Sequence, residues 1–119
     1  MKYMLQVYFD GAAARLERLP EAERKAIVDE YKAFFQAPEV KDGNQLQPPA
    51  TATTVRLHEG ETVPTSGPYS GASEPLGGYY LVEAVDIDAA VALAARIPAA
   101  RMGGAVEIRP IVHSEEPAG

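Results

Sequence analysis

The polar side chains that could do chemistry in this chain are spread over several segments. Arg56 and Arg109 are the groups best suited to hold a small anionic metabolite, because a guanidinium can donate two parallel hydrogen bonds to one carboxylate or phosphate. A simpler interpretation pairs both arginines with Glu83 and Glu107 across a sheet. Strand alternation could direct further polar groups toward one cavity. The predicted ligand-binding residues are Gln6, Tyr8, Gln47, Arg56, Tyr79 and Arg109, and the catalytic candidates are Ser66, Tyr69 and Glu74.

Other residue types limit the chemistry that this set could perform. A serine without a neighbouring base does not accept protons near neutral pH, so Ser66 is better interpreted as a turn residue than as a nucleophile. The histidines, His58 and His113, are far apart and have no second ligand at zinc spacing, and the chain has no cysteine. The sequence therefore predicts no metal site and no cofactor.

Composition narrows the class of partner. The 119 residues include 11 Lys and Arg against 17 Asp and Glu, for a net charge of −6, and the basic residues are scattered. This disfavours direct binding of nucleic acid, which needs a basic patch. No apolar run has the length of a signal peptide core or a membrane span, so we expect no membrane contact and a cytoplasmic location. We also expect one domain at 1–112 and a polar tail at 113–119.

Apolar periodicity and turn residues divide the chain into elements. In strand one, Tyr3, Leu5, Val7 and Phe9 would share one face, and Met4, Gln6 and Tyr8 the other. A helix with a buried stripe of Ile27, Tyr31, Phe34 and Phe35 would follow. Asp86 or Asp88 would cap a second helix that ends before Pro98. The predicted elements are strands at 2–9, 54–58, 78–84 and 105–111, helices at 20–37 and up to 97, a loop at 39–50, and a hairpin arm that turns at 59–60 and returns over 61–64.

This element order predicts the architecture. Two strand-helix-strand units that interleave form an antiparallel, ferredoxin-like sheet with two helices on one face, which is an α+β fold. The second face would carry Tyr8 and one of the pair Tyr79 and Tyr80. Such large side chains on an uncovered face predict that a second copy covers it, so we expect a homodimer.

Particular motifs add a resemblance. The turn Ser66-Gly67-Pro68-Tyr69 and the segment LGGYYLVE at 76–83 resemble the signature of the YCII-related proteins, in the branch named for an Asp-Gly-Pro-Phe motif. Residues 46–56 and 97–104 are similar to that family as well. Within the signature, Ser66 stands at the position of the aspartate, Tyr69 at that of the phenylalanine, and Gly71 and Ser73 at those of a glutamate and a lysine. The pair Gly77-Gly78 favours a close backbone approach over a phosphate site, because no helix begins after it.

The resemblance implies a dimeric α+β barrel, and it underlies the first two of three alternative functions. The first is a cofactor-independent enzyme, such as an isomerase, lyase or dehalogenating enzyme acting on a small organic acid; the serine at position 66 argues against it. The second is a regulatory module associated with extracytoplasmic-function sigma factors. The third is a dimer whose cavity binds a metabolite without transforming it.

Overall fold

The computed structural model of the protein describes residues 1–9, 11–69 and 76–112, and the predicted tail at 113–119 and the candidate Glu74 lie outside these ranges. The described strands are β1 (Lys2–Tyr8), β2 (Val40–Gln45), β3 (Thr53–His58), β4 (Glu61–Ser66), β5 (Gly78–Glu83) and β6 (Ala105–Pro110). The described helices are α1 (Ala12–Arg18), α2 (Glu21–Phe35) and α3 (Ile87–Ala94), with 3-10 turns at Pro49–Thr51 and Pro98–Arg101.

Four strands form one antiparallel sheet in the order β2-β5-β1-β6. Leu5 at the centre of β1 lies opposite Tyr80 on β5 and Ile108 on β6. The order places the first strand of each strand-helix-strand unit beside a strand of the other unit, which confirms the predicted ferredoxin-like plan.

The core lies on one face of this sheet. Tyr3, Leu5 and Val7 on β1 are almost completely buried, as their alternation predicts, and they join one apolar cluster with Phe34 of α2 and Leu93 of α3. The Phe34 ring meets Tyr80 edge to face, with 4.8 Å between the ring centroids. All three helices contribute to this cluster, so the helices cover the same face of the sheet.

The second face of the sheet, called the open face below, has no helix over it among the described elements. Its side chains follow from the register, since alternate residues of each strand point to it. They include Met4, Gln6, Tyr8, Tyr79, Leu81 and Arg109. Of the tyrosine pair, Tyr80 packs against the core and Tyr79 lies on the open face, so the prediction of one tyrosine on each side is confirmed.

Two local signals act as the sequence predicts. The side chain of Asp86 accepts a hydrogen bond from the Ala89 amide at 2.9 Å and caps α3. Glu59 and Gly60 both have positive φ angles, 51° and 84°, and make the tight reversal between β3 and β4. The return strand β4 is two residues longer than the predicted arm.

Several predictions about elements are wrong. The stretch 39–50 is not a loop throughout, because β2 occupies Val40–Gln45 and pairs with β5. The sequence of β2 is polar, and its strand conformation comes from this pairing: Gly43 lies opposite Tyr80, where a Cβ atom would be 2.5 Å from the ring. Helix α1 was not predicted at all. Phe35, assigned to the buried stripe, is 47% exposed, because it lies one position beyond Phe34 and therefore on another side of α2.

The predicted strand at 54–58 exists as β3, but it is not a member of the four-stranded sheet. It pairs with β4 in a separate two-stranded hairpin, from Thr53 opposite Ser66 to His58 opposite Glu61. The radius of gyration is 16.5 Å, against about 13.5 Å for a compact domain of this length. The hairpin has few contacts with the four-stranded sheet, which agrees with this elongated shape.

Candidate binding site

A cavity of about 600 Å³ lies between helices α1 and α2 and the helix-covered face of the sheet. We call it the helix-side cavity. Its size is within the range of small-molecule sites, roughly 300–1,000 Å³. Most of its walls are apolar, and they include Val7, Phe9, Ala12, Ala13, Leu16, Ile27, Val28, Phe35 and Met102. The polar or charged residues of the lining are Tyr31, Lys32, Gln36, Asn44, Gln45, Tyr79 and Tyr80. The side chains of Asn44 and Tyr79 point to the open face, so these two residues line the cavity with their backbone.

Tyr31 is fixed in the wall of this cavity by a hydrogen bond. Its hydroxyl oxygen accepts the backbone N–H of Ala99 at 3.1 Å, and Ala99 itself is completely buried. Burial raises the pKa of Tyr31 to about 12, against which the hydrogen bond from Ala99 acts only in part. Tyr31 is therefore neutral at physiological pH and serves as a hydrogen-bonding group, not as a base.

Tyr80 presents a second neutral hydroxyl. Its ring lies between Phe34 and Phe35, at centroid distances of 4.8 and 6.2 Å. Burial raises the pKa of Tyr80 as well. Lys32 is the one charged side chain among the described lining residues. The helix-side cavity thus combines apolar walls, two neutral hydroxyls and a single cation.

The Gly77-Gly78 pair shapes the same cavity from the sheet side. A Cβ atom at Gly77 would be only 2.1 Å from the ring of Phe9, a wall residue. A Cβ atom at Gly78 would be 3.1 Å from the carbonyl oxygen of Asn44 on β2. The prediction that these glycines permit close backbone approach is confirmed, and the approach brings the Phe9 ring to the cavity wall.

The predicted site residues fall into separate groups instead of one cavity. The first group lies on the open face: Gln6, Tyr8, Tyr79 and Arg109. Tyr79 lies opposite Gln6, and its hydroxyl accepts a hydrogen bond from the side-chain amide of Asn44 at 2.9 Å. The side-chain oxygen Oε1 of Gln6 is buried, and no described residue donates a hydrogen bond to it.

The second group lies at the base of the hairpin: Gln47, Arg56, Ser66 and Tyr69. Arg56 Nη2 donates to the Tyr69 hydroxyl at 3.0 Å, and the guanidinium carbon is 5.1 Å from the centre of that ring. Gln47 and Tyr69 line a second cavity of about 470 Å³. Ser66 ends β4 opposite Thr53 and is exposed, and no described hydrogen bond joins it to a basic side chain.

The interpretation that pairs Arg56 and Arg109 with Glu83 and Glu107 across a sheet is wrong. The register places Val63 opposite Arg56 and Met4 opposite Arg109, so neither arginine has a glutamate directly across from it. Glu83 lies instead 3.5 Å from the N-terminal ammonium group.

The helix-side cavity was not predicted from the sequence. Of its lining residues, Tyr31 was assigned to the buried stripe of its helix. One signal was available, since a tyrosine within an apolar stripe needs a partner for its hydroxyl and often marks the edge of a core. The α1 wall had no such signal.

The described part of the chain contains neither a cluster of metal ligands nor a helix that could span a membrane. Its residues contain no group of three or more His, Asp or Glu side chains placed to hold a metal ion. None of its helices combines the length and apolar character that crossing a membrane requires.

Comparison with known proteins identifies relatives of this chain. Residues 1–115 match the family model described as the YCII-related domain. The chain is also similar to an uncharacterized protein of Rhizobium meliloti (strain 1021), with 27% identity over 114 residues, which cover 93% of this chain and 92% of that protein.

Proposed function

The chain belongs to the YCII-related domain family, and on that basis we propose that it is a homodimer that binds a small organic molecule in the helix-side cavity. The observation that carries the proposal is the cavity itself. It has the volume of a ligand site, and it is lined by exposed apolar side chains such as Phe35 and Val28. When a ligand displaces water from apolar side chains in a concave surface, the free energy of the system falls, and this favours binding.

The composition of the walls supports a particular class of ligand. Lys32 supplies a single positive charge among the described lining residues, while Tyr31 and Tyr80 supply neutral hydroxyls. This set suits a molecule with an apolar body and one anionic group, such as a monocarboxylate. The predicted capture of an anion by Arg56 and Arg109 stays a prediction, and neither arginine lines this cavity.

The homodimer is supported by the open face. Met4, Tyr8 and Leu81 are half-buried there, and the buried oxygen of Gln6 has no donor among the described residues. A second sheet facing this surface would exclude water from the apolar groups and could donate the missing hydrogen bond. This arrangement is the dimeric barrel that the resemblance implies.

Binding without chemical transformation is the form of the function that the described residues support. Ser66 and Tyr69 are not among the residues that line the helix-side cavity. Among the described residues, Arg56 is the basic side chain that bonds to Tyr69, and it cannot accept a proton. Enzyme activity and an association with sigma factors remain predictions of the resemblance.

The test uses octanoate and 1-octanol as probes in titration calorimetry, with inorganic phosphate as a third probe. We expect octanoate to bind, octanol to bind more weakly and phosphate not to bind. Lys32→Gln should weaken octanoate by about fivefold, which corresponds to the roughly 1 kcal/mol of an exposed charge pair, and should leave octanol unchanged. Lys25→Gln is the matched control, because Lys25 is on the same helix but outside the cavity.

A variant that fills the cavity separates this proposal from adventitious binding. Ala13 lines the cavity from α1, and Ala13→Phe should abolish binding of both octyl probes while keeping the fold. Equal binding by Ala13→Phe and wild type would show that the octyl chain binds elsewhere and would refute the proposal.

A further inference from the structure

The hairpin of β3 and β4 has little packing against the described helices or the four-stranded sheet. Its two six-residue strands pair along their whole length, and all their residues except Thr54 are exposed. An isolated two-stranded hairpin is marginally stable at best in water, because it has no third layer to bury its side chains. A feature of this kind is expected to pack against another surface.

The two faces of the hairpin differ in what they already contact. On one face, Arg56 stacks on Tyr69, and the hydroxyl of Thr54 donates to the carbonyl oxygen of Gly67 at 2.7 Å. The other face carries Val55 and Leu57, with Pro64 directly opposite Val55. Val55 is 60% exposed and Leu57 is 74% exposed. We call this second surface the arm face; it also includes Thr53, Thr62 and Ser66.

The absence of charge on the arm face makes it suited to contact a second copy. Each chain carries a net charge of −6, so repulsion between two copies is smallest where the surfaces that meet carry no charged groups. The six residues of the arm face carry no charged group. The charged residues of the hairpin, among them Arg56, Glu59 and Glu61, lie on the opposite face or at the turn.

The arm face would add substantially to the contact between two copies. Strands of six residues, about 20 Å long and spaced about 5 Å apart, give the open face of the four-stranded sheet a flat footprint of about 400 Å². The arm face adds a footprint of about 200 Å². In a two-fold dimer each copy buries its own arm face and also a surface of similar size under its partner's arm, so the arms would about double the footprint that the open faces bury alone. A larger buried area is typical of stable homodimers.

We propose that β3 and β4 form a dimer arm whose Val55, Leu57 and Pro64 face packs on a second copy of this chain, beside the paired open faces. The inference rests on the proposed homodimer and goes further, because it assigns the hairpin as a part of the interface. Each arm contact occurs twice, so one substitution in the gene alters two sites of the dimer.

The first test measures the dimer dissociation constant by sedimentation equilibrium. Val55→Asp should raise it at least 30-fold, since an unpaired carboxylate would be buried at both arms. Val63→Asp is the matched control, because Val63 is the same residue type in the same hairpin but lies on the face with Arg56. It should change the constant by less than threefold. Leu81→Asp, on the open face, should also dissociate the dimer.

The outcomes distinguish the two proposals. A wild-type protein that is monomeric at 100 micromolar refutes the homodimer, and the arm with it. A dimer that is sensitive to Leu81→Asp but not to Val55→Asp refutes the arm and leaves the homodimer intact. Equal effects of Val55→Asp and Val63→Asp refute the assignment of the arm face.

A second test locates the arm directly. Because the chain has no cysteine, Leu57→Cys introduces a unique thiol that can carry a benzophenone group. Irradiation of a mixture of ¹⁵N-labelled and unlabelled protein should give crosslinks that join a labelled and an unlabelled chain. The same label at Val63→Cys should give few. Crosslinks confined to single chains would overturn the inference.

Discussion

Removing the hydroxyl of Tyr31 tests how much the hydrogen bond between this cavity residue and the backbone of Ala99 stabilises the protein. This hydroxyl is the partner of the Ala99 N–H, which is in a completely buried residue. An unpaired buried N–H costs about 1–3 kcal/mol, and because Tyr31 is only half-buried, water can replace part of the loss. We therefore expect Tyr31→Phe to lower the free energy of unfolding by about 1–2 kcal/mol. For 119 residues this is a fall in Tm of about 4–8 °C.

The assay is urea unfolding followed by circular dichroism, with Tyr69→Phe as the control. Tyr69 loses the same atom but is 73% exposed, so its free energy of unfolding should change by less than about 0.5 kcal/mol. A Tyr31→Phe protein as stable as wild type would refute the reasoning, because it would mean that the hydrogen bond to Ala99 contributes nothing or that water satisfies the N–H fully.

The pH dependence gives this prediction a second, independent readout. Burial raises the pKa of Tyr31 from 10.0 to about 12 in the folded protein, so the folded state keeps the proton that the unfolded state loses. The stabilisation is complete below pH 10 and is lost as the pH rises from 10 toward 12. After discounting for partial exposure, we expect wild type to lose about 1 kcal/mol relative to Tyr31→Phe over this window. Tyr80 is present in both proteins, so its burial cancels in the comparison, and its repulsion with ionised Tyr31 is part of the shift that Tyr31→Phe removes.

Two further predictions concern single local features. Asp86→Ala should lower the free energy of unfolding by about 1 kcal/mol, because the cap on the Ala89 amide is lost. Asp88→Ala, two residues later in the first turn of α3 and without that bond, should lower it by less in the same urea titration. Gly43→Ala should cost about 1–3 kcal/mol and should change the near-ultraviolet circular dichroism of the aromatic residues, since the new Cβ would displace the ring of Tyr80; an unchanged spectrum and stability would contradict this packing.

Much of the fold could be predicted because some signals are local. Strict alternation in β1 identified its buried face, Gly60 identified the hairpin turn, and Asp86 identified a helix start. These signals depend on a residue's own conformation or on neighbours three or four positions away. The paired glycines at 77 and 78 were informative for a similar reason, because a missing side chain marks a close contact whatever the partner is.

The failures share a different physical cause. Strand β2 is a strand because β5 supplies its hydrogen bonds and because Gly43 leaves room for Tyr80, and neither fact is visible in its polar sequence. Helix α1 has only seven residues, too few to show a complete apolar repeat. The helix-side cavity depends on both elements, so it could not be predicted until they were placed. Arg56 and Arg109 were both chosen because an arginine can bind an anion, but residue type does not say whether two residues are close in space. Arg56 lies on the hairpin and Arg109 on the four-stranded sheet.

The most direct test of the binding function is a methyl NMR titration of the wild-type protein with octanoate. The account predicts saturable shifts at the methyl groups of Ala13, Leu16 and Val28, which line the helix-side cavity, and none at Val55 and Leu57 on the hairpin. Shifts restricted to the hairpin or the open face, or no saturation at any methyl group, would contradict it.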